Sequence, residues 1–122
     1  KYQIKAKPIK YIQDMEKNYA WADIVIARSG ALTVTELAEV GVASILIPFP
    51  YAVDNHQYFN AKVLQNRDGA KIIMENKIAD EIEEYLLSLN RKKCLSMAEN
   101  AKVRRRQEAS KKIYEYISNH EK

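Results

Sequence analysis

Apolar residues in the first ninety positions gather into short unbroken runs separated by more polar stretches. "DIVIA" at 23–27 and "SILIP" at 44–48 are short, β-branched and without alternation, the pattern of strands buried on both faces of a parallel sheet. The segment between them predicts a helix ended by Gly41. Strand, helix and strand within about thirty residues make a βαβ unit, whose crossover hand is fixed by chain sterics. After a loop with two prolines, "FPYAVDN" preceded by Pro48, a helix is expected from about 55 to 66 and a short strand "AKIIM" at 70–74. Ahead of the unit, 2–11 reads as an extended edge segment containing Pro8, and 13–20 as a short helix. From Lys77 onward the pattern is helical, at about 78–89, 92–102 and 104–118, with Ile113, Tyr114 and Ile117 continuing an apolar face. The prediction is α/β: one parallel sheet with flanking helices and a helical C-terminal coat, in a single domain over 1–122.

Composition narrows this picture in three ways. With 122 residues and 47% apolar content the chain can bury a real core, and no stretch approaches 18 uninterrupted apolar residues. The single Cys94 excludes an internal disulfide, and with no histidine beside it in sequence it reads as a structural or surface thiol, the low cysteine use fitting a reducing cytosol. The chain opens on Lys1 with no charged-then-apolar leader, so it is expected to be a piece of something longer.

The formal charge of +4 is unevenly placed: residues 1–89 hold ten Lys/Arg against twelve Asp/Glu, and residues 90–122 hold ten against four. The basic surplus therefore belongs to the C-terminal helices. Its densest point, "KVRRRQ" at 102–107, lacks aromatic interleaving and any nucleic-acid motif, which favours a solvated helix face over a polynucleotide site.

In an open parallel sheet ligands bind beyond the carboxyl ends of the strands, so the loops after Ala27 and Pro48 should share one edge. In the first, Ser29 and Gly30 let the backbone turn sharply, and the amides of Ala31, Leu32 and Thr33 would point outward with the positive end of the helix dipole behind them. Glu36, one turn further in, is placed to accept from a pair of ribose hydroxyls. The same residues also read as a capping box, Thr33 to Glu36, which stabilises a helix by about 1 kcal/mol with no ligand at all. Spacing alone leaves both readings open.

In the second loop Asp54 to Gln57 again has capping-box spacing, and Asn60 lies one turn beyond His56. His56, Gln57 and Asn60 form a neutral donor and acceptor cluster suited to sugar hydroxyls or an acetamide. As a metal site it is poor, since His56 and His120 are the only histidines and no second ligand stands at the right spacing.

The run "YAWADIVIARSGALTVTELAEVGVASILIPFPYAVDNHQYFNAKVL" resembles the C-terminal, donor-binding domain of the MurG family of bacterial N-acetylglucosaminyltransferases. The specific parts are "WAD", "RSGALTV-x-E", "PFP" and "D-x-HQ-x-x-N-A", in family order, with a weaker match through "MAENAKVRRRQEASKKI". The resemblance covers nearly all of this chain and about the last third of a typical member. It implies the C-terminal half of a GT-B glycosyltransferase, with a Rossmann-like sheet.

The implied donor is UDP-GlcNAc and the implied acceptor is lipid I, which becomes lipid II in peptidoglycan synthesis. Residues matching Tyr11, Ile12 and Met15 enclose the uracil, and Glu36 matches the ribose ligand. Ser29, Gly30, Ala31, Leu32 and Thr33 lie at the pyrophosphate, His56 and Gln57 reach the GlcNAc hydroxyls, and Arg28 and Asn60 support the two loops. Tyr11 and His56 stand where the family often has Phe and Gln. The resemblance further implies an inverting reaction without metal or cofactor, a catalytic base in a separate N-terminal acceptor domain, and work at the cytoplasmic face of the bacterial membrane as a peripheral protein. This chain alone is then expected to be inactive. Two rivals are a donor subunit of a split transferase acting on a dolichol-linked sugar, and a non-catalytic nucleotide or nucleic-acid binding module.

Overall fold

The computed structural model describes residues 14–50 and 56–102. The edge segment 2–11, with Tyr11 and Ile12, the loop 51–55, and the final helix at 104–118 lie outside the described residues.

A short first helix, α1 (Met15–Trp21), starts where the Asp14 carboxylate accepts from the Lys17 amide at 2.9 Å. It leads to β1 (Ile24–Ala27), α2 (Ala31–Val40), β2 (Ala43–Leu46), α3 (His56–Asn66) and β3 (Ala70–Ile72). The three strands form one parallel sheet in the order β1-β2-β3. The predicted α/β architecture is therefore present. A 3-10 turn (Glu75–Lys77), absent from the sequence reading, then opens α4 (Ile78–Ser88), and α5 (Arg91–Ala101) follows behind an Asn90 cap that accepts from Lys93 at 2.7 Å.

At β2 the sheet is covered on both sides, which explains that unbroken apolar run; β1 departs from the buried strand its run predicts, because it stands at an edge of the described sheet, where its residues are only partly covered and Ile26 is 47% exposed. On one side Tyr19 of α1, Val34, Leu37 and Ala38 of α2, and Ala61 and Leu64 of α3 pack with Val42, Leu46 and Ala70. On the other, Cys94 and Met97 of α5 meet Ala43, while Ile45, Ile47 and Ile73 meet Ile78, Ile82 and Tyr85. Cys94 is a buried core thiol, which selects the structural reading over the surface one. Burial raises the Tyr85 pKa, with the nearby Cys94 adding to it, and the Tyr85 hydroxyl donates to Met97 Sδ at 3.4 Å.

Two turns set how tightly the layers close. Gly41 ends α2 at φ 78°, a left-handed conformation that a side chain resists. At the end of α3 the amides of Asp68 and Gly69 return to the carbonyls of Gln65 and Leu64, with Asp68 itself at φ 60°. Gly69 then lies directly on Ala101 of α5. At the outer margin of the sheet, the Gln65 side chain accepts from the Ile72 amide at 2.9 Å.

Ser44, in the middle of β2, is fully buried and its hydroxyl has no hydrogen-bond partner among the described residues. An unsatisfied buried hydroxyl carries a desolvation penalty of about 1–3 kcal/mol, which its removal relieves. Ser44→Ala is therefore expected to leave stability unchanged or raise it by about 1 kcal/mol, as read by urea denaturation.

Candidate functional site

Register places the site. Ala27 pairs with Leu46, so the chain leaves β1 and β2 side by side at their carboxyl ends, and the two polar loops begin together. The ladder runs one step further, with the Ile47 amide donating to the Ala27 carbonyl at 2.9 Å.

The first loop delivers Gly30 as the residue preceding α2, in an extended conformation and without any side-chain cap. This corrects the capping-box reading. Thr33 is the third residue inside the helix, so it cannot cap it, and Thr35, a full turn beyond Ala31, donates its hydroxyl back to the Ala31 carbonyl at 2.8 Å. The first amide to turn back into the helix is that of Val34, to Gly30 at 3.0 Å. Those of Ala31, Leu32 and Thr33 have no acceptor among the described residues. The physical reason is the glycine: it offers no oxygen to the amides, and so they stay available to an anion.

Ser29 is fully buried, and its hydroxyl donates to the Gln57 carbonyl of α3 at 2.6 Å. Asn60 answers from the same helix, its side-chain amide donating to the Ser29 carbonyl at 3.2 Å. The Gln57 side chain reaches the other loop instead of its own helix end, accepting from the Phe49 amide at 2.8 Å. The front of α3 thus ties the loops after β1 and β2 to one another. His56 opens α3 and is exposed; Asp54 lies outside the described residues.

Arg28 forms an ion pair with Glu75 and lies 5.4 Å from the centre of the Phe49 ring. Both partners are partly exposed, so the pair contributes little energy and serves mainly to hold the loop. It also neutralises the one guanidinium of the loop. The positive potential at the front of α2 therefore comes chiefly from the helix end. Glu75 and Phe49 were missed in the sequence, since nothing local marks a carboxylate 47 residues from Arg28 as its partner.

Beside the first turn of α2 opens a cavity of about 310 Å³, lined by Met15, Glu16, Leu32, Glu36, Glu39 and Val40. It brings together three of the predicted site residues, Met15, Leu32 and Glu36. Leu32 is 73% exposed at its mouth. Tyr19 of α1 is buried in the core, where burial first and the charge of Glu36 second raise its pKa. Among the described residues, no group of three or more His, Cys, Asp or Glu side chains could hold a metal ion.

Comparison with known proteins fits this geometry. The family model described as the glycosyltransferase family 28 C-terminal domain matches residues 1–115. A relative from Coxiella burnetii (strain Dugway 5J108-111), named UDP-N-acetylglucosamine--N-acetylmuramyl-(pentapeptide) pyrophosphoryl-undecaprenol N-acetylglucosamine transferase, is 45% identical over 118 residues, covering 93% of this chain and 32% of that protein. One of the same name from Azoarcus sp. (strain BH72) is 48% identical over 104 residues, covering 84% of this chain and 29% of that protein. The crystal structure of Acinetobacter baumannii MurG superposes with a TM-score of 0.68 at 41% identity, covering 76% of this chain and 27% of that one. The chain thus spans about a third of the length of the curated relatives it matches. By the family model over residues 1–115, the chain belongs to the glycosyltransferase family 28 C-terminal domain family.

Proposed function

We propose that this chain is the donor-binding part of an inverting glycosyltransferase that moves GlcNAc from UDP-GlcNAc to lipid I, forming lipid II. The observation that carries the reading is the open first turn of α2 beside the cavity that holds Glu36: three amides without acceptors, next to a carboxylate one turn away. A nucleoside diphosphate needs that combination, since its diphosphate takes amide donors and its ribose diol donates to a carboxylate. The names of the relatives support the choice of sugar and acceptor.

In this reading the uracil lies against Met15 with Tyr11 and Ile12, the diphosphate meets the amides of Ala31 to Thr33, and GlcNAc faces His56 and Gln57. A base in another part of the enzyme takes the proton from the acceptor's 4-hydroxyl. That oxygen bonds to the anomeric carbon as the carbon–oxygen bond to UDP breaks, and the electron pair leaves on the diphosphate. The charge growing there faces the positive end of α2, which lowers the barrier because the dipole is already oriented. Arg28, Ser29, Gly30 and Asn60 keep that end open and in register with α3. The acceptor carries a polyprenyl chain, so the enzyme works at the cytoplasmic membrane face as a peripheral protein; among the described residues no helix is long and apolar enough to cross a membrane.

Calorimetric titration with UDP-GlcNAc, UDP and UDP-GalNAc tests the reading. UDP-GlcNAc should bind in preference to UDP-GalNAc, and Glu36→Ala, checked for folding by circular dichroism, should weaken UDP by about tenfold or more through loss of a charge-assisted hydrogen-bond pair. A folded chain that binds none of the three would sink the proposal.

A further inference from the structure

Resting on that donor reading, we propose that Glu75, in the turn after β3, is a positioning residue for the sugar end of the site: through Arg28 and Phe49 it fixes the Gln57 side chain so that its N–H groups, not its oxygen, face the sugar. β1 and β3 flank β2, so Arg28 and Glu75 leave the sheet two strand spacings apart, about 9–10 Å. The Arg28 side chain bridges that gap, its guanidinium donating to the Glu75 carboxylate and lying 5.4 Å from the centre of the Phe49 ring in the loop after β2. One side chain thus straps together the loops after β1, β2 and β3, along the carboxyl edge where ligands of such sheets bind. Glu75 is itself held, since the Lys77 amide closes the turn around it on the Met74 carbonyl at 2.8 Å.

The strap ends on Gln57, whose backbone and side chain are fixed separately. Its main-chain carbonyl accepts from the Ser29 hydroxyl at 2.6 Å, and its side-chain oxygen accepts from the Phe49 amide at 2.8 Å. A primary amide whose oxygen is drawn to a backbone N–H turns its own N–H groups the other way. A sugar hydroxyl that meets them must accept, and must stand where the fixed amide points. That requirement separates sugars that differ only in the direction of one hydroxyl. Were Phe49 free to shift, the Gln57 amide could rotate and accept from a hydroxyl in either position. Glu75 therefore acts on the choice between epimers, and acts on it only through the Gln57 side chain. The ion pair is partly exposed, so removing it changes the stability of the fold little.

The test uses calorimetry on the full chain to compare UDP-GlcNAc with UDP-GalNAc, which share charge and nucleotide and differ in one sugar hydroxyl, with UDP as the control for nucleotide binding. The proteins are the wild type, Glu75→Ala, Glu75→Gln, Gln57→Ala and the double variant of the two alanine changes. The wild type should prefer UDP-GlcNAc, and Glu75→Ala should cut that preference by about threefold or more. Glu75→Gln keeps an oxygen for the guanidinium and should recover part of it. In the Gln57→Ala background, which leaves the bond from Ser29 intact, the Glu75 change should have no further effect on the ratio. Thermal melts close to wild type would verify that the variants stay folded. A merely structural role would weaken both sugar donors alike and leave their ratio standing. That result, or a wild type that binds UDP without preferring either epimer, overturns the inference while nucleotide binding survives. Failure of the wild type to bind UDP overturns both.

Discussion

Replacing Gly69 with alanine is expected to destabilise the protein by about 3 kcal/mol and to lower its melting temperature by roughly 10 °C. A Cβ at this position would sit 2.6 Å from the Ala101 Cα and 2.8 Å from its backbone nitrogen. Those atoms belong to the backbone of α5, so no rotamer change relieves the clash. Either α5 lifts from the sheet or β3 shifts, and both movements open the core between them. Gly41→Ala is a useful contrast, because a Cβ there meets side-chain atoms of Lys102, the nearest its Cβ at 2.9 Å, in place of helix backbone, and this shallower clash adds to the strain of the left-handed backbone angle. Thermal melts of the two variants should therefore separate, with Gly69→Ala the lower.

Ser29→Val should cost about 2–3 kcal/mol and reduce donor affinity as well. The added methyl groups enter a fully buried position, and the donation to the Gln57 carbonyl is lost. With it goes the close approach that lets Asn60 reach the Ser29 carbonyl, so the first loop is released from α3. Urea denaturation reads the first effect, and titration with UDP in the folded baseline reads the second. A variant as stable as wild type would show that the tie between loop and helix contributes little. The contrast with Ser44 is direct: both serines are completely buried, yet one hydroxyl has a partner and the other has none.

Much of the architecture was legible because it rests on short-range signals. The runs 23–27 and 44–48 predicted β1 and β2 to within two residues at each end, and Gly41 marked the end of α2. The third strand was drawn two residues too long, since Ile73 and Met74 are as apolar as the strand but only one ladder step, Ile73 to Leu46, continues past it. The 3-10 turn at 75–77 escaped notice because "ENK" has no distinctive pattern.

The site was legible in its residues and not in its connections. The stretch from Arg28 to Glu36 announced a helix front near a ligand, but spacing could not say whether Thr33 capped the helix or lay inside it. That depends on where Gly30 places the first turn, which in turn depends on how Ser29 is held by α3, 28 residues away. The Arg28–Glu75 pair and the Arg28–Phe49 contact are of the same kind. Each joins side chains that only the finished sheet brings together.

The Gln65 carbonyl on the Ile72 amide also governs how this protein meets its own copies. A bare outer strand is a template on which a strand from another molecule can crystallise, repeat after repeat, into an aggregate. Here the donor at the end of that template, the Ile72 amide, is already occupied by a side chain of the same fold. Among the described residues the sheet thus carries the beginning of a selvedge on its β3 side, with one fewer free donor to seed a fibre.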